Sequence, residues 1–150
     1  TKEMLSKVLF AQYETLKTQG NFNNRVVFPK TLFQLDNSIE AAVIEMGMNS
    51  FGEISDLTRR ARPDAAVITN IGVAHIEYLG SRAGILKAKM EIIEGMKEGS
   101  PLILNKDDDM LADLDCPQMK KIYYGIERSD WDVHAKDIQE EGGHTSFTIV

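Results

Sequence analysis

Cysteine is nearly absent: Cys116 stands alone in 150 residues, so no disulfide can form within the chain, and the reducing cytoplasm is the expected compartment. No apolar run approaches the roughly 20 residues that span a bilayer. No basic-then-apolar leader opens the sequence, which begins at Thr1 rather than Met, so the natural start is expected elsewhere. Positive charge is in deficit: 17 Lys and Arg against 23 Asp and Glu give a formal charge of −6, with the cations scattered. A duplex nucleic-acid binder needs a basic footprint to displace counterions, and that class is excluded. A nucleotide is not, because one local phosphate site can work inside an acidic protein. Internal repeats and low-complexity linkers are also missing. What is there, 43% hydrophobic and 27% charged, is the composition of a globular domain long enough to bury a real core.

Met4, Leu5, Val8, Leu9, Tyr13 and Leu16 have the spacing of one helical face, with Gly20 as the stop. No capping pattern precedes this helix, so it is expected to be entered from upstream. Pro29 suits the first turn of a short helix through Thr31, Leu32 and Leu35. Ala41-Ala42-Val43-Ile44, closed by Glu45, reads as a buried parallel strand with an acid at its C-terminal end. The pattern recurs at 65–70, 102–105 and 121–124, with helices expected over 53–60 and 81–96. Strands alternating with helices imply βαβ units and a mostly parallel sheet flanked by helices, an α/β fold. From Trp131 onward the texture changes, and Val133, Ala135 and Ile138, then Phe147, Ile149 and Val150, predict an antiparallel edge hairpin around Gly142-Gly143. Both ends of the sequence are expected to be cut ends, although a fold finishing on an edge strand stays open.

In an open α/β sheet, ligands bind beyond the carboxyl ends of the strands. Here those ends deliver Glu45, then Asn70 with His75, then Asn105 with Asp107 and Asp108, and all are expected to face one crevice. Each has a plain alternative. Glu45 could cap the next helix, His75 could simply be hydrogen bonded, and Asp107 and Asp108 could cap a following helix. Asn23 and Asn24 could be turn residues. Lys89 could be an ordinary lysine whose stem lies along an amphipathic helix, as Lys87 is expected to be. Met46, Met48 and Met90 read as packing.

Gly20-Asn21-Phe22-Asn23-Asn24, Glu45-Met46-Gly47-Met48-Asn49 and Thr69-Asn70-Ile71-Gly72-Val73-Ala74-His75-Ile76-Glu77 resemble signature blocks of the Mur ligases. Ala88-Lys89 with Glu91-Ile92, and Leu104-Asn105 with Asp107-Asp108, are similar in order and spacing too. The resemblance implies a P-loop NTPase-like fold, with residues 1–150 a partial central, ATP-binding domain. Its glycine-rich phosphate loop would lie just before Thr1-Lys2-Glu3-Met4. An N-terminal UDP-substrate domain and a C-terminal domain would also lie outside it, so the piece alone is expected to be inactive. The asparagine-rich block and Glu45-Met46-Gly47-Met48-Asn49 are similar to the member that adds D-alanyl-D-alanine to UDP-N-acetylmuramoyl-tripeptide. Val27, where that block has glycine, and Arg25, where an acid is common, depart from it.

The implied reaction uses ATP and Mg²⁺ to activate a carboxylate as an acyl phosphate, which an amine then displaces. On this resemblance Glu45 is a Mg²⁺ ligand, His75 belongs to a second Mg²⁺, and Lys89 is carbamylated into an anionic ligand. These three are the implied catalytic residues. Asn105 lies near the adenine, and Asn23, Asn24 and Asn70 face the substrate. A sibling Mur enzyme, a folylpolyglutamate synthase, or a degenerate binding module without catalysis are the alternative readings.

Overall fold

The computed structural model describes residues 1–126 and 130–150. Thr1 occupies the N-cap position of helix α1 (Lys2–Phe10) and makes no side-chain capping hydrogen bond. The helix stops at Ala11, not Gly20, and Leu16 lies in a short strand, β1 (Thr15–Lys17). Tyr13 and Leu16 keep a helical spacing, but the main chain of 15–17 gains a parallel partner in β2 (Ala41–Val43), and that pairing wins over periodicity. The apolar face of α1 is itself mostly exposed, with Met4 at 67% and Val8 at 71%, while Ser6 is buried.

These elements belong to a first compact unit, Thr1–Arg62 with Ala88–Gly95. It also holds α2 (Phe28–Leu32), with Pro29 in its first turn as expected, and α3 (Glu53–Ala61). Fully buried Phe28 and Leu57 are part of its core. The stretch from Ala88 includes the end of α5 (Arg82–Met90) and a 3-10 turn, Glu91–Gly95. Side chains strap that turn to α3. Glu91 accepts N–H groups from Gly52 (2.7 Å) and Ser55 (3.2 Å), serving the orphan donors at the start of α3. Thr58 Oγ1 donates to the Ile92 carbonyl at 2.6 Å. Gly95 lies so close to Thr58 that an added Cβ would overlap its backbone carbonyl. Gly95→Ala should therefore destabilise the protein by about 1–3 kcal/mol, since the obstacle is main chain rather than a flexible side-chain tip. A thermal or urea unfolding midpoint equal to wild type would refute this.

The second unit, Pro63–Lys87 with Met96–Val150, carries a five-stranded sheet in chain order. Its strands are β3 (Ala66–Ile68), β4 (Pro101–Asn105), β5 (Lys120–Gly125), β6 (Val133–Glu141) and β7 (His144–Ile149). Neighbours from β3 to β6 run parallel, and β6 with β7 forms the expected antiparallel hairpin. Leu102 and Leu104 alternate inward along β4 and are fully buried. The unit also contains α4 (Ile76–Leu79), a single turn of helix that periodicity did not reveal. Among the described residues, no helix is long and apolar enough to cross a membrane.

Candidate functional site

In the first unit the β1–β2 pairing places Glu45. Thr18, fully buried, donates its N–H to the Val43 carbonyl at 3.0 Å, and its Oγ1 accepts the Glu45 N–H at 2.9 Å. The Glu45 main chain is thus fixed as the chain leaves β2. Its carboxylate is held from both sides. Oε1 accepts Asn23 Nδ2 at 2.7 Å, and Oε2 lies 3.4 Å from Lys2 Nζ. The Lys2 side chain is only 11% exposed and also donates to the Gly20 carbonyl.

The two sequence blocks meet at main-chain level as well, through the Gly47 N–H to Asn23 carbonyl bond of 2.8 Å. Position 47 must be small here, because a Cβ would lie 2.9 Å from Asn23 Cγ. Asn24 acts as a turn residue: its Oδ1 accepts N–H groups from Val26 (3.0 Å) and Val27 (3.2 Å). Arg25 reaches across to Asp56 on α3 at 3.2 Å, and Arg60 pairs with the same carboxylate. Hydrogen bonding to Arg60 is the largest cause holding the Asp56 carboxyl below its ordinary range, with Arg25 adding to it. Lys89, half-buried, is the next-to-last residue of α5 and sits between fully buried Ala88 and the Glu91 strap. Asn23, Asn24, Glu45 and Lys89 therefore share one unit. Lys2 and Thr18 were not foreseen from the sequence, where nothing connects them with Glu45.

Asn70, His75 and Asn105 belong to the second unit. Asn70 and His75 are exposed on the loop between β3 and α4. His75 has a left-handed backbone (φ 67) and occupies the N-cap position of α4, its carbonyl accepting the N–H groups of Tyr78 and Leu79. Asn105 ends β4 in register with Tyr124, and its Oδ1 accepts the Asp107 N–H at 3.0 Å. That bond orients the amide and leaves its NH₂ as the donating end.

Asp107 and Asp108 do not cap a following helix, because 106–113 forms a run of turns. Asp107 accepts the Ile126 N–H at 2.7 Å. Asp108 accepts the N–H groups of Ile71 (2.7 Å) and Met110 (3.0 Å). Burial, then the charges of Asp107 and Asp108, pushes the Tyr124 phenol above its usual range.

Mg²⁺ takes oxygen ligands and is commonly bound through one or two carboxylates, its own waters and substrate phosphates. Among the described residues, no group of three or more His, Cys, Asp or Glu could hold a metal ion. Glu45 suits Mg²⁺ in a specific way: Asn23 braces one oxygen, and the other already faces a cation, the Lys2 ammonium.

The family model for the Mur ligase middle domain matches residues 1–150. The chain is 46% identical over 99% of its length to the UDP-N-acetylmuramoyl-tripeptide--D-alanyl-D-alanine ligase of Bacillus subtilis, of which it spans 32%. Among solved structures it resembles MurF from Acinetobacter baumannii, with a TM-score of 0.89 and 33% identity over 99% of this chain and 32% of that one. It also resembles the MurF ligase from Thermotoga maritima in complex with ADP, with a TM-score of 0.87 and 32% identity over 99% of this chain and 34% of that one. The chain thus spans about a third of the length of the relatives it matches. With the family model matching residues 1–150 and the named ligase and MurF structures matching 99% of the chain, the chain belongs to the Mur ligase family, as a middle domain.

Proposed function

We propose that the full-length protein is an ATP-dependent ligase that joins D-alanyl-D-alanine to UDP-N-acetylmuramoyl-tripeptide in the cytoplasm. The observation that carries this reading is the 46% identity, over 99% of the chain, to a ligase named for that reaction. Residues 1–150 would be its central, ATP-binding domain, working with one domain that holds the UDP-sugar peptide and another that closes over ATP.

Within that reading Glu45 would hold Mg²⁺ through the oxygen that now faces Lys2, while Asn23 fixes the direction of the carboxylate. Bound Mg²⁺ supplies charge neutralisation at the transferring phosphoryl group. His75 would serve a second metal from its loop, and Asn105 would donate to the adenine from an amide its own turn has oriented. Asn23, Asn24 and Asn70 would face the UDP-linked substrate. Lys89, as a carbamate, would add a negative oxygen ligand from the end of α5.

The test is product formation by the full-length protein supplied with ATP, Mg²⁺ and UDP-N-acetylmuramoyl-tripeptide. ADP, phosphate and the pentapeptide product should appear only when D-alanyl-D-alanine is present. Turnover with a single amino acid, or with glutamate and a folate acceptor, in place of the dipeptide would assign the protein to another branch of the superfamily.

A further inference from the structure

We propose that Asp108 and Arg82 are positioning residues that grip the main chain at Ile71 and so hold the loop presenting Asn70 and His75. This rests on reading that loop as part of the ligase site. Ile71 is 1% exposed, and it lies just past β3, where the strand ladder no longer serves its polar groups. A buried main-chain N–H and C=O still need partners. Both come from side chains on other segments. Asp108 Oδ2 accepts the Ile71 N–H at 2.7 Å, and Arg82 Nε donates to the Ile71 carbonyl at 3.0 Å.

The two gripping groups are themselves fixed. Arg82 forms a two-pronged pair with Asp109, through Nη1 at 2.8 Å and Nη2 at 2.5 Å, and its Nη2 lies 4.0 Å from Asp108. This fork geometry suits a planar guanidinium and cannot be reproduced by an ammonium. Asp108 has a side chain only 9% exposed, and its second oxygen accepts the Met110 N–H, which locks the turn after β4. One residue of the loop is thereby tied to the start of α5 and to the turn after β4 at once.

The consequence falls on the neighbours of Ile71. Asn70 precedes it directly, and His75 follows within the same loop in a left-handed conformation, so its ring direction depends on the path of the main chain. Both residues are exposed, and Thr69 Oγ1 donates to Asn70 Oδ1 at 3.2 Å, so the clamp on Ile71 acts on the main chain that carries them. A catalytic group displaced by about 1 Å can cost on the order of 10²-fold in rate, so a loosened clamp should appear in turnover.

The test uses the full-length enzyme with Asp108→Asn, Arg82→Met and Arg82→Lys, and with His75→Ala as reference. Asparagine keeps one acceptor and loses the other, with little change of shape. Hydrogen exchange over residues 70–76 should quicken in Asp108→Asn and Arg82→Met, and kcat should fall by about 10- to 100-fold with KM for ATP within about 2-fold of wild type. Arg82→Lys should resemble Arg82→Met, because lysine keeps the charge without the fork. Unchanged exchange in both variants overturns the clamp. Faster exchange with normal kcat, in a protein where His75→Ala is impaired, overturns its role in positioning. If His75→Ala itself turns over normally, the assignment of the loop to the site has failed, and exchange alone then decides whether Asp108 and Arg82 hold Ile71.

Discussion

Glu45→Ala in the full-length enzyme is expected to lower kcat by on the order of 10²-fold or more, from the loss of several kcal/mol of charge stabilisation at the phosphoryl group. The unfolding midpoint should barely move. The Glu45 side chain is 39% exposed, and partly exposed ion pairs like the one with Lys2 contribute only about 0–1 kcal/mol. Two further variants separate metal binding from that pair. Glu45→Gln keeps an oxygen for Asn23 and loses the charge, so it should fall nearly as far as alanine. Lys2→Met removes the pairing and leaves the carboxylate able to hold Mg²⁺, so its loss should be smaller. Normal turnover of Glu45→Ala across a Mg²⁺ titration would return Glu45 to a structural role, bracing Asn23 and Lys2.

That role could be anticipated only in part from the sequence. A short apolar run closed by an acid is a local pattern, and β2 with Glu45 at its end was visible for that reason, as were β4 with Asn105 and the β6–β7 hairpin. A short element without such a closing pattern carries too little period to be recognised. Thus β1 was absorbed into a helix and α4 passed unseen. What makes the candidate site a structure is also non-local. Asn23 meets Glu45 across 22 residues, Thr18 meets it across 27, and Asp108 meets Ile71 across 37. Polar side chains in turns give no sequence signal of a distant partner, because asparagine and aspartate are favoured there for local reasons as well. Asn24 and Asp107 show how both uses coexist: Asn24 serves its own turn, whereas Asp107 reaches Ile126 across 19 residues.

Lys89→Arg is expected to be as damaging as Lys89→Ala, because the proposed working form of Lys89 is an anion. A neutral lysine amine can add to the carbon of CO₂ and lose a proton, which leaves a carbamate whose oxygens are hard ligands suited to Mg²⁺. Such a reaction needs the neutral amine, and Lys89 is half-buried directly after a fully buried alanine. The strap from Glu91 to the start of α3 holds the chain two residues further on, so the end of α5 is fixed against its own unit. Were Lys89 to act as an ammonium attracting phosphate oxygens, arginine would preserve the charge and some activity would survive. A guanidinium forms no such carbamate, so the carbamate reading requires arginine to fail. It also makes a positive demand. Acetate or formate entering the space left in Lys89→Ala should restore part of the activity by returning an anion to the site. Wild-type enzyme stripped of CO₂ at mildly acidic pH should likewise regain activity as bicarbonate is added. Survival of Lys89→Arg, with no response to acetate in the alanine variant or to bicarbonate in wild type, would make Lys89 a plain cation.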